Sequence, residues 1–328
     1  MRTSPAISDP PERKRHPLRT ILVVLVSAVV VIGGGVAVLV AQPWSKTPAP
    51  QPVSTVRYLG VHEKTAPNTY AGIDQFAASI GRQPNIVSYY GPWGEPFQAS
   101  FAQQAVQHGA LPLVQMDPAN VSLAAIAGGQ YDSYLRAFGA AVKSFGSQVV
   151  ISFGHEMNGN WYTWGNTKTS PKVFVAAWRH IVTTVRQAGA QNVTWLWTVN
   201  IVDSDLTVPI PDPSPWWPGR PYVSWVGVDG YYYNAGTQFS SVFGPTLVDL
   251  RKLTSDPILI TETGAGPAAD QAAKITDLFN GVRTYGLLGF IWFDEDAEGH
   301  SWRITSPQVF GTYQRDARAF FRPPARSP

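Results

Sequence analysis

The sequence predicts one (β/α)8 TIM barrel, an α/β fold, preceded by a single N-terminal transmembrane helix. Three observations carry the barrel. From Arg57 onward, apolar strand-like runs alternate with stretches of helical spacing, the mark of parallel βα units. Eight such runs fit within residues 57–322, close to the roughly 250 residues this fold usually takes. Every run ends in polar or aromatic residues, as expected where the C-terminal strand ends form an active face.

In chain order the predicted strands are Tyr58–Glu63, Ile86–Trp93, Leu111–Asp117, Val149–His155, Val193–Asn200, Trp225–Tyr231, Ile258–Glu262 and Leu288–Asp294. Helical spacing is clearest over Tyr131–Phe145, Pro171–Ala188 and Ala268–Tyr285. A doubly wound open sheet would need a glycine-rich phosphate turn after the first strand, and Leu59-Gly60-Val61-His62-Glu63 supplies none. The proline-rich stretch Ile201–Pro221, with Trp216 and Trp217, reads as an elaborated loop over the active face. Residues 323–328 form a short tail.

The N-terminal region has a different logic. Residues 1–19 hold five basic groups against Asp9 and Glu12, a net of +3, so the remaining 20 basic and 20 acidic residues cancel. A neutral body excludes a concentrated nucleic-acid footprint. Thr20 to Ala41 is 22 residues without a charge. As a helix it would span about 33 Å, enough for a hydrocarbon core of about 30 Å. Basic residues before it place residues 1–19 in the cytoplasm and the body outside. The competing reading is a cleaved signal peptide, which also exports the body. Residues 42–56, with four prolines, read as an extended spacer. The absence of cysteine suits an extracytoplasmic domain.

Two strand ends carry the chemistry. VVISFGHEMNGNWYTW, from Val149 to Trp164, presents Glu156 among aromatics, where burial disfavours the charged form and favours a general acid. PILITETGAG, from Pro257 to Gly266, presents Glu262 in the same way. The other ends offer His62-Glu63, Tyr89-Tyr90 with Trp93, Gln115 with Asp117, Asn200, Asp229 with Tyr231, and Trp292 with Asp294.

Gly154 to Gly165, GHEMNGNWYTWG, resembles the acid/base segment of glycoside hydrolase family 26, and Ile258 to Gly264, ILITETG, resembles that family's nucleophile strand. The family contains β-mannanases, with some members acting on β-glucans or xylans. The resemblance implies Glu156 as acid/base and Glu262 as nucleophile. If the two carboxyls lie about 5–5.5 Å apart, hydrolysis retains the anomeric configuration. Family 26 is similar to this chain in having a His before the acid and an Asp-x-Tyr pair on strand six. His155 is then a hydrogen-bond partner or sugar contact, and Tyr231, with Asp229 on the same face, a donor to Glu262 or a core residue. The resemblance also implies that Trp292 floors the subsite of the cleaved sugar and that Trp161 lines the cleft. His62 and Trp93 are candidate sugar contacts by position alone, and Trp164 reads as core packing. Trp302-Arg303 resembles a family segment near the cleft.

No cofactor is expected, and no metal: the His-Glu pair lacks the second His of HExxH, and the acids Asp294, Glu295, Asp296 and Glu298 lack EF-hand spacing and read as a solvated loop. The chain therefore reads as a membrane-anchored, monomeric, retaining endo-β-glycosidase, with mannan leading over mixed-linkage glucan and xylan. Two alternatives remain: a catalytically silent carbohydrate-binding protein, and an enzyme trimming the cell's own exopolysaccharide.

Overall fold

The computed structural model describes residues 57–203, 209–266, 270–297 and 299–322. The expected cytoplasmic tail at 1–19, anchor at 20–41, spacer at 42–56 and tail at 323–328 lie outside the described residues. Among the described residues no helix is long and apolar enough to cross a membrane.

Eight parallel strands close into a barrel in sequence order: β1 (Tyr58–His62), β2 (Ile86–Pro92), β3 (Leu111–Asp117), β4 (Val149–Phe153), β5 (Val193–Asn200), β6 (Trp225–Asp229), β7 (Ile258–Thr263) and β8 (Gly289–Phe293). Strands β3 and β5 match the expected bounds, and the others differ by one or two residues at their ends. Helices α1 (Ala71–Ile80), α2 (Ala99–Gln107), α3 (Leu123–Ala127), α4 (Asp132–Phe145) and α5 (Pro171–Gln187) follow the first four strands. Helices α6 (Phe239–Val242), α7 (Gly244–Leu253), α8 (Gln271–Thr284) and α9 (Pro307–Phe320) follow the last three. The segment from Pro209 to Tyr222 lies against α5 and α7 rather than only over the barrel mouth: Arg179 donates to the Pro218 carbonyl at 2.7 Å and Trp178 to that of Tyr222 at 3.1 Å.

Alternation along the strands sorts the barrel interior into layers. The lowest is apolar: Ile86, Leu113, Val150, Leu196, Leu259 and Ile291 form one buried cluster. Two residues further up stand Ser88, Gln115, Ser152, Thr198 and Thr261, with the Ser152 and Thr198 hydroxyls 3.1 Å apart. Gly227 belongs to this layer because a Cβ there would lie 2.4 Å from both Thr198 Oγ1 and Thr261 Oγ1. One more step up places Tyr90, Asn200 and Asp229 at the mouth. The barrel is thus dry at its base and polar at its top.

Strict alternation would point Glu262 outward, since Leu259 and Thr261 face in. A register shift corrects this: Val228 pairs with Ile260, but Asp229 pairs with Glu262. The extra residue in β7 re-aims the chain, as bulges beside active sites do.

The β1–β8 seam that closes the barrel depends on Gly289, whose φ is +152° and whose Cβ, if present, would fall 1.8 Å from the Tyr58 carbonyl oxygen. Gly289→Ala is expected to cost about 3 kcal/mol or more in urea unfolding, since backbone cannot yield as a side chain can. An unchanged midpoint would show that the seam has slack.

Candidate active site

The acid end of β4 turns into the mouth through two residues with left-handed backbones, Gly154 at φ +53° and Glu156 at φ +54°. For a glutamate this conformation costs about 1–2 kcal/mol. Backbone bonds hold it: the Glu156 amide donates to Thr198 O at 3.0 Å, and its carbonyl accepts from Gly159 N at 2.8 Å. The carboxylate accepts from Trp161 Nε1 at 2.7 Å and from Asn200 Nδ2 at 2.5 Å. Asn200 is itself fixed by Asn158, which accepts from its backbone amide and donates to its carbonyl, both at 2.9 Å. Burial, with the Glu262 charge adding to it, lifts Glu156 to about 7, against the opposing pull of His155, Asn200 and Trp161.

Glu262 sits in a different setting. Tyr90 donates to its Oε1 at 2.5 Å and Gln115 at 2.6 Å, while Tyr231 donates to Oε2 at 3.0 Å. Three neutral donors replace the water that a buried carboxylate loses. Asp229 completes the group, and carboxylate oxygens of Glu156, Asp229 and Glu262 all lie within 4.8 Å of one another. Three acids this close are also the number a cation needs. The five donors already aimed at Glu156 and Glu262, with a cationic His155 beside them, favour proton chemistry instead.

His155 is that cation. Burial alone would lower its pKa, but Asp117, Glu262 and Glu156 together lift it to about 9. Its Nδ1 lies 3.1 Å from Asp117 Oδ1, close enough to pair but off the line for a hydrogen bond. Its Nε2 meets the Tyr162 hydroxyl at 3.0 Å, and its carbonyl accepts from Trp164 Nε1 at 2.7 Å. Tyr162 stacks on the buried Trp164 at 4.3 Å, so this aromatic wall orients the imidazole.

The structure thus brings Glu156, Glu262, His155, Trp161, Asp229 and Tyr231 together. It does not bring Trp292. That residue lies between the inward Ile291 and Phe293, is fully buried, packs edge-on to Tyr313 of α9 and donates to the Trp302 carbonyl at 3.1 Å. Facing the helix layer, it cannot floor a sugar subsite. Trp302 lies nearer, packed on Tyr231 at 4.6 Å and against Gly264. His62 is at the mouth, stacked on Phe293, but its ring nitrogens face the Ser88 carbonyl at 3.2 Å and Glu295 at 3.4 Å. Trp93 packs among Tyr131, Tyr134 and Phe153. The acids after β8 diverge: Asp294 accepts from Ile304 N, Glu295 faces His62, Asp296 enters a two-stranded ribbon with Ser301, and Glu298 lies outside the described residues. Tyr90, Gln115, Asp117, Asn158 and Asn200 are the functional neighbours that site assignment from sequence missed, although all but Asn158 lie at predicted strand ends.

Residues 139–266, which contain β4 to β7 and all three acids, match the profile of Glycosyl hydrolase family 26. The matched stretch is 128 of the chain's 328 residues. Endoglucanase H of Acetivibrio thermocellus is 28% identical over 273 residues, 78% of this chain. The match spans only 30% of that relative's length. Among solved structures, a family 26 β-mannanase from Bacteroides ovatus superposes with a TM-score of 0.60 at 14% identity, covering 84% of this chain and 95% of that one. The catalytic domain of a family 26 endo-β-1,4-mannanase from Bacillus sp. JAMB-750 gives 0.61 at 14%, covering 81% and 86%. At such identities the structural likeness establishes the shared fold and no more.

The raised pKa of His155 has a stability consequence. Stabilisation by its protonated form is complete below the ordinary 6.5 and is lost as pH rises through about 9. Asp117→Asn removes the main partner, so the fall in melting temperature between pH 7 and 9.5 is expected to be shallower in the variant than in the parent, by up to about 3 kcal/mol of stability. Parallel slopes in the two proteins would show that His155 is neutral.

Proposed function

We propose that the chain is a retaining endo-β-glycosidase with Glu262 as nucleophile and Glu156 as acid/base. The observation that carries this reading is the approach of the two carboxylates within 4.8 Å. That suits the roughly 5–5.5 Å spacing of retaining enzymes and leaves too little room for the water that an inverting pair holds between them. The asymmetry of their surroundings supports the division of roles. Glu262 is surrounded by donors that favour a charged nucleophile, whereas Glu156 is lifted to about 7 and carries a proton near neutrality.

In the first step a Glu262 oxygen attacks the anomeric carbon, the glycosidic C–O bond breaks, and the Glu156 proton passes to the departing oxygen. Esterification removes the Glu262 charge, which lowers the pKa of Glu156. In the second step a water attacks the anomeric carbon, gives its proton to Glu156, and the ester bond breaks to restore Glu262.

β-1,4-Mannan is the leading substrate, supported by neighbours described as β-mannanases. A β-glucan is the second reading, favoured by the 28% identical relative that is named an endoglucanase. We place the domain outside the cytoplasm behind a membrane anchor at residues 20–41, on the strength of the 22-residue uncharged run and the basic residues before it.

Incubation with mannan, glucomannan, mixed-linkage glucan and xylan, followed by reducing ends, tests the reading. The parent is expected to cut at least one polymer, with the anomeric configuration retained, and Glu262→Ala to lose nearly all activity. Cleavage of glucan alone would move the substrate and keep the mechanism, while inversion or an active Glu262→Ala would sink it. Activity should also fall as pH rises through about 7, where Glu156 loses its proton. Trp161→Phe deletes a donor to the ionised form, so its basic limb should lie higher by up to about one pH unit. A limb moved toward acid would mean that Trp161 supports the protonated form.

A further inference from the structure

Asp229 differs from its two neighbours in what faces it. Glu262 accepts three hydrogen bonds and Glu156 two, whereas neither oxygen of Asp229 has a hydrogen-bond partner and the residue is fully buried. Burial, then Glu262 and Glu156, push its pKa well above the carboxylate range, and the nearby Thr261 hydroxyl and Glu262 amide offset only part of this. The groups around it come from every packed element. They are Glu262 and Thr261 on β7, Glu156 and Tyr162 after β4, Tyr231 after β6, and Asn200, its register partner on β5. None of these is a cation. The one imidazolium of the mouth, His155, is paired with Asp117. Carboxylates this close resist joint ionisation, and the proton settles on the acid with the fewest donors.

We propose that Asp229 is a positioning residue that stays protonated through the whole reaction cycle, leaving Glu262 as the only negative charge of the three until the ester forms. The second half of the double displacement gives this a purpose. When Glu262 becomes an ester, its charge disappears and Glu156 can release its proton and act as base. An ionised Asp229 within 4.8 Å would take over the repulsion and keep Glu156 protonated. A neutral Asp229 keeps polar volume beside the reacting groups without disturbing that exchange.

Two measurements on the full chain need no turnover. Infrared spectra at pH 8 should show the carbonyl band of a buried, protonated carboxylic acid that vanishes in Asp229→Asn. The same variant, which mimics the neutral acid, should melt above the parent at pH 8, with the advantage gone below about pH 4, where the unfolded aspartate is protonated too. Absence of the band, or a variant that melts below the parent at pH 8, overturns the proposal. If Asp229→Asn does not fold, the band is sought at pH 8 in Glu156→Gln, where its survival supports the proposal and its loss overturns it. A kinetic measurement rests on the glycosidase reading above. The basic limb of kcat/KM in Asp229→Asn should stay at the parent position, and a move toward acid by about one unit or more would mean that Asp229 is charged and lifting Glu156.

Discussion

Three carboxyl groups share a buried space that tolerates one negative charge, and much of the mouth is arranged around that constraint. Repulsion between Glu156, Asp229 and Glu262 falls steeply with distance and is strong where water is excluded. The donors are correspondingly unequal. Tyr90, Gln115 and Tyr231 gather on Glu262, Trp161 and Asn200 serve Glu156, and Asp229 is left with neighbours that do not close a bond onto it. The unequal supply of donors sorts three similar side chains into different protonation states, which position in the sequence does not do by itself.

Much of this was legible in the sequence because parallel strands announce themselves as apolar runs and the barrel places their C-terminal ends together. Glu156 and Glu262, His155, Trp161 and the Asp229–Tyr231 pair could be named from strand position and motif. The failure at Trp292 comes from the phase of the strand. Trp292 and Phe293 are adjacent aromatics at the end of β8, and only the pairing with β1 and β7 decides that Phe293 faces the mouth and Trp292 the helices. The same ambiguity surrounds Glu262, which depends on a register shift in β7 that no composition signal marks. Asn158 was missed for another reason. Its amide grips the backbone of Asn200, 42 residues away, and a clamp between loops leaves no local pattern.

The turn that carries the acid shows how the fold meets the cost of its site. Glu156 adopts a left-handed backbone conformation that a side chain disfavours, two residues after Gly154, which adopts it too. The strain persists because the surroundings over-determine it. The Glu156 amide is tied to β5, the preceding carbonyl is capped by Trp164, and Tyr162 stacks on Trp164 and meets the imidazole of His155 edge-on. The aromatics of the GHEMNGNWYTWG segment thus have unequal duties. Trp161 touches the acid, while Tyr162 and Trp164 hold the turn from which the acid projects.

His155 completes the charge balance. A lone imidazolium in a buried mouth would be expensive, and Asp117 on β3 offsets it at 3.1 Å. The pair is nearly neutral at a distance, yet its cationic end draws Glu156 down against the lift of burial. Without that pull, burial and Glu262 would keep Glu156 protonated too firmly to release a proton near neutrality. With the pull but no Glu262 charge, as in the proposed glycosyl ester, Glu156 is the group whose proton becomes easiest to lose. In the proposed double displacement, proton transfer in both directions then follows from one fixed cation, one neutral Asp229 and one charge that comes and goes.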